Sequence, residues 1–205
     1  MIRTPHPSLP GELADGDAVV DRTESWPVLA EHTVYAHRFL SLALDTVRAP
    51  DGETFERVYV RHQGGVGIVA LDDDNRVLLL EQYRHPARTR LVELPAGVLD
   101  RGGEEPRETA ARELAEETDL VAREWSTLLR MYSSPGSSDE QWHVYLARGL
   151  SGVPDRERFA REHEEAHMDR VWVPLRDAVG AVLTGEITDA MAVSGLLAAW
   201  VKQSP

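Results

Sequence analysis

Residues 97–120 constrain this chain more than any other stretch. Gly97, Gly102 and Gly103 lie in a loop that runs into a helix reading Arg112-Glu113-Leu114-Ala115-Glu116-Glu117, and the acid crowds the C-terminal half of that helix. Carboxylates favour the other end, where the macrodipole is positive, so Glu113, Glu116 and Glu117 are repelled both by the dipole and by one another. Side chains three and four apart share a face, and carboxylates converging there suit a hard, oxygen-seeking cation such as Mg²⁺. Ala110, Ala111, Leu114 and Thr118 recur at helical spacing and supply an apolar side for packing. A solvated surface helix, with Arg112 paired to Glu108 and Glu116, is the other reading of the same letters.

At 205 residues and 42% hydrophobic content the chain is long enough for one core and an extra element. A net charge of −13 argues against a nucleic-acid or anionic-membrane surface, where binding comes from clustered Lys and Arg. There is no Cys, which excludes disulfides and thiol catalysis. No apolar run approaches the roughly 20 residues of a membrane span. The first residues carry no apolar signal core, so a cytoplasmic protein is expected.

Residues 1–17, with Pro5, Pro7, Pro10, Gly11 and Gly16, read as a tail. Segments 18–22, 28–36, 38–47 and 54–61 are β-like, and Ala49-Pro50-Asp51-Gly52-Glu53 is a strong turn between the last two. A small antiparallel sheet is therefore expected ahead of the main domain, with 1–62 as tail and sheet and 63–205 as the catalytic domain. Further strands are expected at 68–71, 76–84, 91–94, 125–131, 142–147 and 171–175. Helices are expected at 175–183 and 189–202, the second capped by Thr188 and packed through Val193, Leu196, Leu197 and Trp200. Asp72-Asp73-Asp74-Asn75 reads as a turn between strands; the Gly and Glu of a calcium loop do not follow at the right offsets. Loop 133–140 is a candidate lid, and the charge-dense 154–169 reads as a solvated loop.

Gly97, Glu104, Arg112-Glu113-Leu114, Glu116-Glu117 and Leu120 together resemble the signature box of the Nudix hydrolases, Gly-x5-Glu-x7-Arg-Glu-apolar-x-Glu-Glu-x-Gly-apolar. Two departures stand out. The first gap, 98–103, is one residue longer, and Asp119 occupies the place of the last Gly. That Gly caps the helix in the left-handed conformation, which Asp is among the few other residues to adopt, so the cap is expected to persist.

The resemblance implies an α+β fold, the Nudix α/β/α sandwich with a mixed sheet, preceded by the small N-terminal antiparallel sheet. It implies metal held by Glu113 and Glu117 with Glu116 assisting, and Arg112 orienting a Glu; Glu104, at the loop–helix junction, reads as tying the loop, with metal binding as the alternative. Leu78-Leu79-Leu80-Glu81-Gln82-Tyr83-Arg84, Glu93-Leu94-Pro95-Ala96-Gly97, Ser134-Pro135-Gly136 and Gly185-Glu186-Ile187-Thr188-Asp189-Ala190 look like the ADP-ribose pyrophosphatase branch. There, a proline at a set distance past the box marks preference for ADP-ribose, and Pro135 lies 15 residues beyond Leu120. By the same resemblance the Ala96 carbonyl ligates metal, and Glu164 or Glu165, on an acidic loop before the last strand, is the base. Arg84 is expected to face the diphosphate and Glu93 to accept bonds from adenine or ribose, while Ser134, Pro135 and Gly136 sit by the substrate.

The implied activity is Mg²⁺-dependent hydrolysis of ADP-ribose to AMP and ribose 5-phosphate, with Mn²⁺ as the alternative ion. The partner implied is a second copy: a homodimer in which the N-terminal strands cross and Arg61 contacts the neighbour's nucleotide. Two rivals remain. Another nucleoside diphosphate, such as a nucleotide sugar or NADH, fits the same box. A non-catalytic nucleotide sensor fits less well, because Glu113, Glu116 and Glu117 are all kept and no basic helix-turn-helix is visible.

Overall fold

The computed structural model describes residues 3–16, 19–154 and 167–203. Along the chain come β1 (Arg3–Pro5), β2 (Glu12–Ala14), β3 (Val28–Ala36), β4 (Leu40–Arg48), β5 (Thr54–His62), β6 (Gly65–Ala70), β7 (Arg76–Arg84), β8 (Thr89–Glu93) and β9 (Ala96–Val98). Then follow α1 (Pro106–Thr118), β10 (Leu120–Tyr132), β11 (Gln141–Gly152), β12 (Asp169–Pro174), α2 (Leu175–Leu183) and α3 (Ala190–Gln203).

Two compact units result, Met1–His32 with Asp45–Arg57, and Thr33–Leu44 with Val58–Pro205. In the first, residues expected as a tail form a hairpin, Arg3 opposite Ala14. The expected strand at 18–22 does not form: residues 19–22 are irregular. Trp26 meets Phe55 edge-on at 6.3 Å, and the Arg48 N–H donates to the Pro27 carbonyl at 3.0 Å. Strands β3, β4 and β5 hydrogen-bond in that order.

The second unit shows why period-two sequence makes a layered fold. One sheet runs β10-β11-β6-β9 and another β12-β7-β8. β6 is parallel to β11 and antiparallel to β9, a mixed sheet. Every residue of β6 is buried, and its side chains alternate between two cores. Val69, with Val77, Leu79, Val144 and Leu146, joins α2 and α3 in one cluster. Val66, Ile68 and Ala70, with Leu78 and Tyr145, join Ala110 and Leu114 of α1 in the other. Helices therefore cover both faces. Complete burial of Leu114 and Leu196 stabilises each side by about 1.5–3 kcal/mol per side chain.

The Asp72–Asn75 segment is the expected turn: Asp72 Oδ1 accepts from the backbone of Asp74 and Arg76 at 3.0 and 2.8 Å, and Asn75 takes φ 57°. At the start of α3 the cap is Asp189, not Thr188. Its carboxylate accepts the Ala192 N–H at 2.8 Å, because Asp189 directly precedes the first helical residue. The buried face of α3 is Met191, Ala192, Gly195, Leu196 and Ala199, which leaves Trp200 exposed where core packing was expected.

Candidate active site

Helix α1 is fixed at both ends before any charge on its face is considered. Glu105 and Glu108 form a capping box and Pro106 sits in the first turn. At the far end Asp119 adopts φ 59°, ψ 31°, and its N–H donates to the Ala115 carbonyl at 3.1 Å. The expected left-handed cap is kept without glycine. The last turn has no basic residue of its own. Arg170 of β12 supplies the cation, donating from Nη1 to the Thr118 carbonyl at 2.9 Å and to Asp119 Oδ2 at 2.8 Å. Sequence reading missed Arg170, which lies 51 residues from Asp119 with no local pattern to join them.

On the face itself Arg112 is the hub. Its Nη1 donates to Glu113 Oε1 at 2.6 Å and Glu116 Oε2 at 3.1 Å. Its Nε and Nη2 hold Glu104 at 3.2 and 3.0 Å, and Thr109 Oγ1 donates to the same Glu104. Glu104 thus ties the loop to the helix. Burial pulls the Arg112 guanidinium down, but Glu104, Glu113 and Glu116 outweigh it and hold it above its usual range. The Arg112 bond keeps Glu104 below the ordinary carboxylate value. Burial pushes Glu113 up to about 7 against the attraction of Arg112, and the nearby Glu116 and Asp100 charges add to the rise.

Backbone approach explains the glycine at the start of the motif. A Cβ on Gly97 would come within 2.1 Å of Glu113 Cδ, so the carboxylate lies where any other side chain would be. Next to it, the Ala96 N–H donates to Glu117 Oε2 at 2.8 Å. Ala96, Glu113 and Glu117 all line a cavity of about 510 Å³. Among the described residues no three acidic or imidazole side chains converge on one ready-made ion site. Arg112 accounts for this by drawing Glu113 and Glu116 into ion pairs. The donor set nevertheless fits a divalent cation, since burial, with the charges of Glu116 and Asp100 adding to it, holds Glu113 toward neutrality against the attraction of Arg112, and an added cation favours the ionised carboxylate.

The other expected residues divide. Arg84 and Glu93 line the same cavity, and they bind each other through two parallel bonds of 2.8 and 2.6 Å that raise Arg84 above its ordinary value. Glu116 is not on the cavity wall; Arg101 lies 3.5 Å from its other oxygen. Arg61 lines a separate cavity of about 230 Å³ with Arg38, Phe39 and His62, and its Nε donates to the Tyr59 hydroxyl at 2.9 Å. Ser134, Pro135 and Gly136 stand off the main cavity in a loop anchored to the end of β5. The Val60 N–H donates to the Ser137 carbonyl at 2.8 Å and the His62 N–H to Asp139 Oδ1 at 2.8 Å. Glu164 and Glu165 lie outside the described residues. Sequence reading also missed Asp189, a cavity-lining carboxylate that burial raises above its ordinary value.

Comparison with known proteins adds to this geometry. A NUDIX domain model matches residues 61–192, and a model described as nucleoside diphosphate sugar hydrolase N-terminal domain matches residues 26–60. The chain is 44% identical over 170 residues to an ADP-ribose pyrophosphatase of Mycobacterium tuberculosis, covering 83% of this chain and 81% of the relative. It is 37% identical to a methanol dehydrogenase activator of Bacillus methanolicus (78% and 84% covered) and 34% identical to an ADP-ribose pyrophosphatase of Bacillus subtilis (79% and 85%). A crystal structure of an ADP compounds hydrolase shares the fold, with a TM-score of 0.72 at 22% identity over 89% of this chain and 97% of that one.

Proposed function

The chain belongs to the Nudix family, and we propose that it hydrolyses the diphosphate of ADP-ribose to AMP and ribose 5-phosphate with Mg²⁺, or Mn²⁺ in its place. The observation that carries this reading is the joint placement of Ala96, Glu113 and Glu117 on one cavity wall with the Arg84–Glu93 pair. A bound divalent ion supplies charge neutralisation on the phosphate oxygens and acidifies water. The chain's own residues do the rest. Glu113 and Glu117 hold the ion with the Ala96 carbonyl, Glu116 assists, Arg112 orients the carboxylates, and Arg84 turns the N–H groups that Glu93 leaves free toward phosphate. Glu164 or Glu165 takes the proton from the attacking water; Glu164→Gln and Glu165→Gln distinguish the two through loss of kcat at unchanged KM.

In this reading the protein works in the cytoplasm as a homodimer, 1–62 being a tail and sheet that cross to the partner and 63–205 the catalytic domain. Arg61, Ser134, Pro135 and Gly136 then border the nucleotide of one or other copy. Support comes from β3, exposed along its whole length although it carries Val28, Leu29, Val34 and Tyr35. Removal of residues 1–62 is expected to abolish dimerisation and activity together; a monomer with unchanged KM refutes the shared site. Substrate choice is tested by kcat/KM across ADP-ribose, nucleotide sugars and NADH with Mg²⁺. ADP-ribose is expected to lead, and a higher value for another diphosphate replaces it.

A further inference from the structure

The register of β7 against β8 decides which side chains form one wall of the cavity. Leu80 pairs with Glu93, Gln82 with Leu91 and Arg84 with Thr89. Paired residues in an antiparallel ladder share a face, as do alternate residues along each strand. Gln82, Arg84, Leu91 and Glu93 all line the cavity of about 510 Å³, so this face looks into it. Arg84 and Glu93 are not opposite one another; they stand two steps apart on that face, and the bond between them runs along the strands. The Glu93 side chain is 8% exposed and that of Arg84 48%. The carboxylate is thus a fixed point in the wall, and the guanidinium is the part left open.

Two bonds fix what one would leave loose. A guanidinium is planar and carries five N–H donors. Glu93 Oε1 accepts from Nε at 2.8 Å and Oε2 from Nη2 at 2.6 Å, which occupies one edge of the plane and stops it turning. The next edge, Nη1 with the second N–H of Nη2, remains, and among the described residues Nη1 has no partner. Such an edge suits two oxygens of a phosphate. The charges of Glu117 and Asp189 also act on Arg84, so it stands within electrostatic reach of a carboxylate of α1. That same Glu117 accepts the N–H of Ala96, which follows Glu93 by three residues in the chain. One short segment therefore sets both the guanidinium and the backbone group beside Glu117. A buried carboxylate is costly unless paired, so Glu93 holds on to Arg84 while Arg84 has an edge to spare. Both oxygens of Glu93, expected to accept bonds from adenine or ribose, already accept from Arg84.

We propose that Glu93 is a positioning residue, which holds one edge of the Arg84 guanidinium so that the free edge faces the substrate diphosphate. This rests on the proposed hydrolysis of ADP-ribose. The experiment is a double-mutant cycle on ADP-ribose turnover with Mg²⁺, in wild type, Glu93→Gln, Arg84→Gln and the double variant. Each single change is expected to raise KM about tenfold with kcat little altered, and the double variant to be no worse than Arg84→Gln. A direct role of Glu93 in adenine or ribose binding makes the two losses multiply, and a purely structural pair lowers the melting temperature at unchanged KM; either result overturns the assignment. Should Glu93→Gln fail to fold, Arg84→Lys decides, because it leaves Glu93 a counter-charge but has no second edge: a rise in KM of about tenfold supports the role, and an unchanged KM overturns it. Should wild type fail to cleave ADP-ribose, the functional reading falls. Calorimetric titration with inorganic pyrophosphate and Mg²⁺ still decides the role of Glu93: binding weakened alike in both single variants and the double supports it, and wild-type binding in Glu93→Gln, or none in wild type, overturns it.

Discussion

Helices α1 and α3 are almost the same length and cover opposite faces of the catalytic unit, yet they are held by different means. α3 buries Met191, Ala192, Leu196 and Ala199, and its last turn carries Lys202, whose Nζ donates to the Thr127 carbonyl at 3.1 Å. α1 buries only Thr109, Ala110, Leu114 and Thr118, two of them polar, and has no cation in its own last turn. It is secured instead by a capping box, by Arg112 on its flank and by Arg170 from another strand. With its N-terminus capped by its own box and its C-terminus held by Arg170, the half-buried charged face of α1 is free to carry a carboxylate cluster that repels itself. Apolar contact makes α3 a scaffold; polar anchorage makes α1 a site.

Exchange of charge for amide on α1 should separate activity from stability most sharply. Glu117→Gln is expected to lose several orders of magnitude in kcat, because an amide binds a divalent ion poorly. It can still accept the Ala96 N–H, so the melting temperature in EDTA should hold or rise. A marked fall in that temperature would make Glu117 a structural residue. The converse belongs to α3: Leu196→Ala, in a fully buried position, is expected to cost about 2–5 kcal/mol in denaturant unfolding and to leave kcat at low temperature intact.

Intermediate in size is the outside anchor. Arg170→Met removes two charge-assisted bonds to the end of α1 and should destabilise by about 1–3 kcal/mol. Asp119→Gly should do less harm, since the Thr118 carbonyl remains for Arg170 and glycine adopts the left-handed cap without strain. Strict additivity in a double-mutant cycle of the two would deny that they act together.

A further effect is in pH. Burial raises Glu113 from 4.5 to about 7, so between those values the folded chain keeps a proton that the unfolded chain has released. This contribution to metal-free stability is fully present below 4.5 and lost as pH rises through about 7. Glu113→Gln is therefore expected to match wild type in EDTA at the acid end and to melt above it at the alkaline end. A gap that is constant with pH contradicts the buried, proton-holding carboxylate.

The same contrast explains what could be read from sequence. Periodicity located α1, α2 and α3, and short apolar runs bounded by turn residues located most of the strands, because neighbours such as Val69 and Ala70 are both fully buried, one in each core. It misjudged Trp200, since a helix rich in Ala and Leu on several sides leaves its rotation open. It missed the hairpin of residues 3–14, which is short, exposed and without apolar alternation. In the site, Glu113, Glu117 and Arg112 were legible because they are neighbours on one helix. Arg170 was not, and Asp189 was legible only as part of a family-like segment without a role, because only the fold brings them beside α1 or into the cavity.

The most direct test is the initial rate of AMP release from ADP-ribose as free Mg²⁺ is raised from an EDTA-stripped start. No release in EDTA and a saturable rise with Mg²⁺, absent in Glu117→Gln, is the expected result; release that persists in EDTA, or survives in Glu117→Gln, contradicts a carboxylate-held ion on α1.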